Sequence, residues 1–517
     1  MGLPYFTSLT GLGILYFLYR YVKTTNVNPR RLPLPPGPKR YPLIGSILDV
    51  PPSRPWLVYD EWFKTYGDLV YFKLLGKSFL LVGSLERAVD IFEKRSTNYS
   101  DRPHMVMLMD FIGWDYNFAL IPYGPWWRRH RRAFHEYFGS KKLPQYLPVQ
   151  VRHVRGFLRR LLASPEDFLL HTRHLFAALI TEVAYGIEIQ DHNDPYVRQI
   201  EEVIKGVGEA SVPGRYLVEV FPIMKYIPSW FPGAGWKRKA AYYRRINDRV
   251  SREPYETVKE DLKKGTAAPS VAAALIEALP EGNTKERAEA ETVAMNVSGT
   301  AFLGAADTTV ATIQSFILAM CLHPEVQKKA HEELDGVLQG KRLPELEDQK
   351  YMPYITAIAK EATRWHPVLP TGVPHMSTED DEYHGYFIPK GTIVIGSIWS
   401  ILHDPEAYED PLRFMPERFM KHGKLDPNVR DPSVAAFGFG RRICPGMNMS
   451  DISLFLTVAS ILAVYDIQTE LDESGKPVQM SGEYTIGNFQ FPQPFRALFK
   501  PRSESAATLI RNSGLTD

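Results

Sequence analysis

The chain has 517 residues, of which 44% are hydrophobic, 12% are aromatic and 23% are charged. This composition excludes disorder over most of the chain, and a mean hydropathy of −0.23 excludes a protein with many membrane spans. The chain has 61 basic and 59 acidic residues, so its overall charge does not indicate a nucleic-acid partner. It has two cysteines, Cys321 and Cys444, which exclude a disulfide framework and a multi-cysteine zinc site.

The first segment predicts a membrane anchor. Residues 1–19 carry no charged side chain, and Arg20 and Lys23 follow them. A helix of this length extends about 28 Å, which is one bilayer core, and the positive flank favours a cytosolic position for the rest of the chain. We therefore expect a transmembrane anchor over residues 1–23, with a cleaved secretory signal or a merely buried segment as the alternatives.

A proline-rich segment follows the anchor. Residues 24–45 include Pro33, Pro35, Pro36 and Pro38, which fix the backbone and remove amide donors. They predict a stiff, extended hinge, and an ordinary linker is the plainer interpretation. Residues 46–517 are predicted to form one domain, because no later change in composition marks a boundary.

The body of the chain is predicted to be mainly α with minor β. Residues 69–82 form two short strands around a Gly76–Lys77 turn, and a strand-like run returns at 386–396. Ser84 is suited to cap the first of the helices. Residues 503–517 are small and polar, so we expect them to fray. Helical patterns cover the ranges 84–96, 140–205, 237–263 and 285–322.

The most informative pattern is FGFGRRICPG, residues 437–446, which leads into an apolar helical stretch. A thiolate at Cys444 would be stabilised by the amides and the positive end of that helix. The glycines let the backbone approach a flat ligand closely, and Arg442 adds a fixed cation. The pattern indicates a thiolate-bound metal centre with anionic edges; the plainer alternative is a buried free cysteine in a glycine-rich turn.

This loop resembles the haem-binding loop of the cytochrome P-450 superfamily, whose pattern is F-x-x-G-x-R-x-C-x-G. Phe437, Gly440, Arg442, Cys444 and Gly446 match its five fixed positions. The resemblance implies the cytochrome P-450 fold, a helical bundle around haem with small β-sheets. It also implies haem b, with the thiolate of Cys444 as the axial iron ligand. Segments around 114–132, 211–233 and 437–446 look more closely like the fungal O-methylsterigmatocystin oxidoreductase-like group.

Two further motifs lie on the same side of the implied haem. KEATRWHP contains Glu361 and Arg364 on one helix, and MPERF contains Arg418. In the superfamily these residues form a buried Glu-Arg-Arg triad. Its implied role is structural, because it holds the loop that carries the cysteine.

The haem propionates are expected to meet a second group of residues. Trp127 and Arg131 stand four apart, share one helical face and match the family's W-x-x-x-R. His375 aligns with another propionate contact, with an ordinary surface histidine as the alternative. Arg442 belongs to the same cofactor-binding group, and Arg102 is a weaker candidate for it.

The oxygen side is implied by GAADTT. Gly304, Asp307, Thr308 and Thr309 match the family's central-helix pattern, whereas Ala305 stands where glycine is usual. The resemblance implies that the Thr308 hydroxyl donates a hydrogen bond to bound dioxygen and that the Asp307 carboxyl relays protons from water. Local bonding between side chain and backbone is the plainer interpretation of this motif.

The implied activity is that of a monooxygenase, which oxidises a lipophilic small molecule with dioxygen, in fungal secondary metabolism. Electrons would come from a separate NADPH-dependent cytochrome P-450 reductase, with a cytochrome b-type donor as a further partner. Arg128, Arg129 and Arg132 form either a docking patch for an acidic donor or a solvated basic face. A reductase-independent haem-thiolate isomerase or peroxygenase and a non-catalytic haem-binding sensor are the other functions considered.

By the same resemblance, the catalytic domain, residues 46–517, faces the cytosol from a single-pass anchor in the endoplasmic reticulum membrane. The segment 218–233 is apolar and proline-broken, and it either contacts membrane lipid as an entry mouth or forms buried packing. The implied pocket is apolar, which favours a lipophilic substrate. Its lining is expected from Met105, Met109, Phe111, Trp114, Phe302, Ala305, 368–373 and 484–486.

Overall fold

The computed structural model describes residues 27–51, 53–190, 194–211, 215–470, 476, 478 and 480–514. The predicted anchor, residues 1–23, lies outside the described residues. The described chain is mainly helical with small sheets, as predicted. Its α-helices are α1 (Pro55–Tyr66), α2 (Leu85–Ala88), α3 (Ser96–Tyr99), α4 (Pro125–Phe138), α5 (Leu147–Ala163), α6 (Phe168–Tyr185), α7 (Pro195–Ala210), α8 (Gly235–Lys264), α9 (Val271–Glu277), α10 (Lys285–Ala305), α11 (Thr308–Leu322), α12 (Pro324–Leu338), α13 (Pro353–Trp365), α14 (Ile398–Leu402), α15 (Ser433–Ala436), α16 (Met447–Val464) and α17 (Glu504–Asn512).

The strands of the described chain are β1 (Leu69–Leu74), β2 (Lys77–Val82), β3 (His375–Met376), β4 (Asp381–Tyr383), β5 (Tyr386–Ile388), β6 (Ile393–Gly396), β7 (Met420–Lys421), β8 (Lys424–Leu425), β9 (Tyr465–Thr469) and β10 (Ala497–Pro501). Four of them form the largest sheet, in the order β1-β2-β6-β3, with β2 and β6 parallel and the other pairs antiparallel. Three two-stranded sheets pair β4 with β5, β7 with β8, and β9 with β10.

The first hairpin forms where the sequence predicts it, and β1 and β2 pair along their whole length. Its turn is Leu75–Gly76 rather than the predicted Gly76–Lys77. Both turn residues take positive φ angles, of 47° and 87°, whereas Lys77 already belongs to the strand ladder. The prediction that Ser84 caps the next helix is confirmed, because its hydroxyl accepts the amide of Arg87 at 3.2 Å.

Helices α10 and α11 run through the core. The predicted helical stretch 285–322 is confirmed except for a break at Ala306–Asp307, where Asp307 takes φ −131°. This stretch and α16 are the described helices that are long and apolar enough to cross a membrane. Because 78% and 67% of their most apolar windows are buried inside the protein, we interpret both as core helices.

The described part of the proline-rich segment lies against the sheets. The amides of Tyr71 and Phe387 donate to the carbonyl oxygens of Pro36 and Pro33, each at 2.8 Å. A Cβ at Gly37 would lie 2.1 Å from the carbonyl oxygen of Tyr71, so this close approach requires glycine. The predicted extended backbone is confirmed for residues 32–40, whereas turns follow Asn28 and Tyr41.

The C-terminal segment is helical up to Asn512, so the prediction that it frays is wrong. Helix α17 begins after Ser503, whose hydroxyl accepts the amide of Ala506 at 3.0 Å. Ala506, Ala507 and Ile510 are buried where α17 packs on α5 and α16. The small residues that suggested fraying are therefore the ones that allow close packing.

Candidate active site

Cys444 lies in a tight loop directly before α16. Its amide donates to the carbonyl oxygen of Phe437 at 2.8 Å, and Gly438 and Gly440 take φ angles of 76° and 56°. A Cβ at Gly440 would lie 2.1 Å from the carbonyl oxygen of Phe92. Position 440 therefore requires glycine, both for the positive φ angle of the turn and for the close contact with the backbone of Phe92.

The Cys444 side chain keeps open surface, yet protein surrounds it, and this burial raises the pKa of its thiol. The amides of Gly446 and Met447 and the positive charge of Arg131 act in the opposite direction and favour the thiolate. The sulfur of Cys444 therefore lies at the N-terminus of α16, as the sequence predicts. A metal cation bound to this sulfur would stabilise the thiolate further.

Helix α10 has an open face at its end. Gly304 is exposed although Ala301, Phe302 and Leu303 before it are buried, and a Cβ at this glycine would have no neighbour within 4 Å. The hydroxyl of Thr308 donates to the Gly304 carbonyl oxygen at 2.8 Å. A flat ligand can therefore approach the helix here, beside a hydroxyl that rotation about one bond can turn toward that ligand.

Asp307 lies at the break between α10 and α11, with only 4% of its side chain exposed. Burial raises the pKa of its carboxyl to about 6, although Arg173 opposes this shift. The Arg173 guanidinium on α6 donates to the Asp307 carboxylate at 2.8 Å. Sequence reasoning missed Arg173, because an arginine within a largely apolar helix carries no motif.

Trp127 and Arg442 lie together, although they are distant in the chain. The guanidinium of Arg442 donates to the carbonyl oxygens of Ser100 at 2.8 Å, Ile121 at 2.8 Å and Phe118 at 3.2 Å. The indole N–H of Trp127 donates to Phe118 as well, at 3.0 Å. Both predicted propionate ligands are thus buried donors that meet at one carbonyl oxygen.

Arg131 and His375 complete the predicted set. Arg131 donates to the carbonyl oxygen of Ile443, next to the cysteine, at 2.7 Å. The Nδ1–H of His375 donates to the carbonyl oxygen of Tyr99 at 2.6 Å. The pKa of His375 lies well below its usual range, chiefly because the side chain is buried and also because Arg102 and Arg442 carry positive charge nearby. An anion beside these groups would offset that repulsion.

Arg102 makes contacts different from those of the other candidates. Its guanidinium donates to the carbonyl oxygens of Ala119 at 2.9 Å, Val373 at 2.6 Å and Pro374 at 2.8 Å. Arg102 therefore ties the loop before α4 to the segment that leads into β3. Its role as a propionate ligand stays a prediction.

The predicted Glu-Arg-Arg triad is confirmed. The Arg364 guanidinium donates to both carboxylate oxygens of Glu361, at 2.7 and 2.8 Å, and neither side chain is exposed. Arg418 donates to the same carboxylate at 3.2 Å. The triad fastens α13 to the MPERF turn, because Glu361 also accepts the amide of Met415 at 2.8 Å.

These residues fit a haem group. A thiol at a helix N-terminus supplies one soft axial donor, and the open face at Gly304 accommodates a flat ring. The buried Arg442 and the half-buried Arg131 carry positive charge that would suit propionate edges. The nearby Asp101 carboxylate accepts the amides of Arg102 and Tyr123 at 2.9 and 2.8 Å, so it is itself engaged by the backbone.

Comparison with known proteins places these features in a family. The family model "Cytochrome P450" matches residues 35–489. The chain is 45% identical to Cytochrome P450 monooxygenase COX1 of Coprinopsis cinerea over 98% of both chains. It is 46% identical to Cytochrome P450 monooxygenase COX2 of the same organism, over 93% of this chain and 91% of the relative. It is also 38% identical to Tryptamine 4-monooxygenase of Psilocybe cyanescens, over 92% and 94%. This chain therefore belongs to the cytochrome P450 family, whose members use haem b on a cysteine thiolate, and is a monooxygenase.

Proposed function

We propose that this monooxygenase receives electrons from an NADPH-dependent reductase and oxidises a lipophilic small molecule in fungal secondary metabolism. The observation that carries the proposal is the pair Thr308 and Asp307 at the helix break beside the open Gly304. A hydroxyl and a carboxyl in that position suit proton delivery during oxygen activation. An enzyme that only rearranges its substrate would not need them.

In the proposed mechanism, Cys444 would hold the haem iron, and the donors Trp127, Arg131, His375 and Arg442 would hold the propionates. Bound haem b supplies the iron chemistry that activates dioxygen and transfers one oxygen atom to carbon. The Thr308 hydroxyl, which donates to the Gly304 carbonyl oxygen at 2.8 Å, would turn to offer a hydrogen-bond donor on the open side of the helix. The Asp307 carboxyl, with 4% of its side chain exposed, would hold and release a proton beside it, and the buried surroundings would keep bulk water out.

The substrate class is inferred from the apolar residues expected around the site. Met105, Phe111 and Ala305 keep part of their surface open, whereas Phe302 is fully buried and packs in the core. Apolar walls favour a lipophilic molecule.

The proposed donor surface is the exposed side of α4. Arg128 and Arg132 are exposed, whereas Arg129 pairs with Glu289 at 2.6 Å. Two exposed cations near the arginine-rich cysteine loop favour an acidic reductase face, and a cytochrome b-type donor would use the same charge.

We also propose attachment to the endoplasmic reticulum membrane through residues 1–23, followed by the hinge 24–45 and a cytosolic domain, 46–517. The segment 218–233 supports contact with lipid, because its large apolar side chains face outward. The largest exposed fractions belong to Ile223 at 73%, Tyr226 at 76% and Trp230 at 77%. Aromatic side chains of this kind favour the interface between lipid and water.

The thiolate and the reductase dependence are tested separately. The reduced, carbon-monoxide-bound protein should absorb far to the red of an imidazole-ligated haem, and Cys444→Ala should abolish that band. Cys321→Ala is the matched control, because Cys321 is partly buried on α11. NADPH should be consumed only when reductase is present. An unchanged band in Cys444→Ala, or substrate turnover without NADPH, would overturn the proposal.

A further inference from the structure

Asp307 shares its only described cationic partner with a second carboxylate. Arg173 donates to Asp307 at 2.8 Å, and its Nε lies 3.3 Å from Oε1 of Glu201 on α7. The same guanidinium lies 5.2 Å from the ring centroid of Phe491. One arginine on α6 therefore joins the break in the core helix to α7 and to the C-terminal segment.

The three charged side chains become more exposed from Asp307 through Arg173 to Glu201. The exposed fraction is 4% for the Asp307 side chain, 25% for Arg173 and 40% for Glu201. A guanidinium does not release its proton near neutral pH. Arg173 therefore cannot carry a proton itself, and it acts on Asp307 through its charge and position.

The two outer charges act on Asp307 in opposite directions. Arg173 stabilises the carboxylate form, while Glu201 disfavours it, both directly and by competing for Arg173. Among the described residues, these are the charged groups that act on Asp307. Burial alone would keep the Asp307 carboxyl protonated, whereas a strong ion pair alone would keep it ionised. In either case the carboxyl could not both accept and donate a proton at neutral pH.

We propose that Arg173 is a positioning residue for oxygen activation, and that Glu201 on α7 sets how strongly Arg173 holds the Asp307 carboxylate. This inference rests on the proposed role of Asp307 and adds two residues that no motif indicates. It makes α7 a controlling element of proton supply, because any change in the Arg173–Glu201 contact alters the charge of the buried carboxyl.

The test measures the protonation of Asp307 directly in the purified holoenzyme. Infrared difference spectra against Asp307→Asn isolate the carbonyl band of the protonated carboxyl, and its loss with rising pH should have a midpoint near about 6. Arg173→Gln should raise the midpoint by ~1 unit or more, and Glu201→Gln should lower it. Arg173→Lys, which keeps the charge, should restore a midpoint near that of the wild type.

Opposite shifts are the decisive result, because a general loss of structure would not move the midpoint up in one variant and down in the other. Glu201→Gln, at a partly exposed site, keeps the test valid if Arg173→Gln folds poorly. Equal or absent shifts would overturn the inference.

The pH at which NADPH consumption falls should move in parallel with the midpoint, and a fixed pH profile would overturn the link to proton supply. The carbon-monoxide spectrum reports separately on the proposed function.

Discussion

The guanidinium carbon of Arg442 lies 4.6 Å from the ring centroid of Trp127, and both side chains donate to the carbonyl oxygen of Phe118. Stacking fixes both donors beside the cysteine loop. A carboxylate is a stronger acceptor than a neutral carbonyl oxygen. A haem propionate would therefore take over donors that the fold has already aligned.

Trp127→Phe removes the indole N–H and keeps an aromatic ring, so haem should dissociate faster. A hydrogen bond to a charged group contributes about 1.5–3 kcal/mol, which corresponds to a roughly 10- to 100-fold faster loss. Transfer of haem to excess apomyoglobin measures the rate. Trp126→Phe is the control, because Trp126 is 38% exposed and packs edge-on against His130 instead. Equal rates in both variants would contradict the assignment.

Glu361→Gln should destabilise the protein strongly. Glu361 and Arg364 are both fully buried, and removing one charge leaves the other unpaired, at a cost of about 3–5 kcal/mol. Urea denaturation monitored by circular dichroism measures the change. Glu61→Gln breaks the exposed Lys64–Glu61 pair instead and should change stability by less than about 1 kcal/mol. Similar midpoints for the two variants would argue against a structural role for the triad.

Ile510→Ala tests whether the C-terminal helix belongs to the core. Ile510 has no exposed surface, and truncation of a buried isoleucine costs about 2–5 kcal/mol. Thr508→Ala, on the exposed side of the same helix, should leave the denaturation midpoint nearly unchanged. If both variants denature like the wild type, α17 contributes nothing to stability.

Glu182 should make the contact between α5 and α6 sensitive to acid. Burial opposes ionisation of Glu182, but hydrogen bonds from His153, at 2.7 Å, and from Arg152 outweigh it and lower its pKa from 4.5 to about 2. Because the folded-state pKa is the lower one, the stabilisation is complete above pH ~4.5 and is lost as the pH falls toward ~2.

The shift corresponds to roughly 3 kcal/mol at most. Denaturation of the wild type and Glu182→Gln between pH 3 and pH 7 measures it, because the difference between the two proteins should shrink in acid. A difference that stays constant with pH would refute the ionic contribution.

Trp230 should enter the lipid interface if segment 218–233 contacts the membrane. Vesicles that contain lipids with a quencher at headgroup depth should quench part of the tryptophan fluorescence of the full chain. Trp230→Phe should remove that part, whereas Trp126→Phe should not. Quenching that is unchanged in Trp230→Phe would leave the anchor as the proposed membrane contact.

The local motifs identified the family and the thiolate because their residues are close in the chain and their chemistry depends on residue type. The two apolar runs within residues 69–82, separated by Gly76, likewise predicted the hairpin, since strands buried on both faces have nearly continuous apolar sequences. The apolar helical runs around Thr308 and after Cys444 were recognised because burial on all sides leaves no polar stripe to interrupt them.

Contacts between distant parts of the chain followed no such pattern. Arg173 and Asp307 are 134 residues apart, and no periodicity connects them, so only the packing of α6 against the broken core helix brings them together. The same holds for α17, whose small polar sequence resembles a frayed tail until α5 and α16 supply the surface that buries it. The sequence determines the type of each side chain and therefore its chemistry. The pKa of that side chain and the group it pairs with depend on the residues that the fold packs around it.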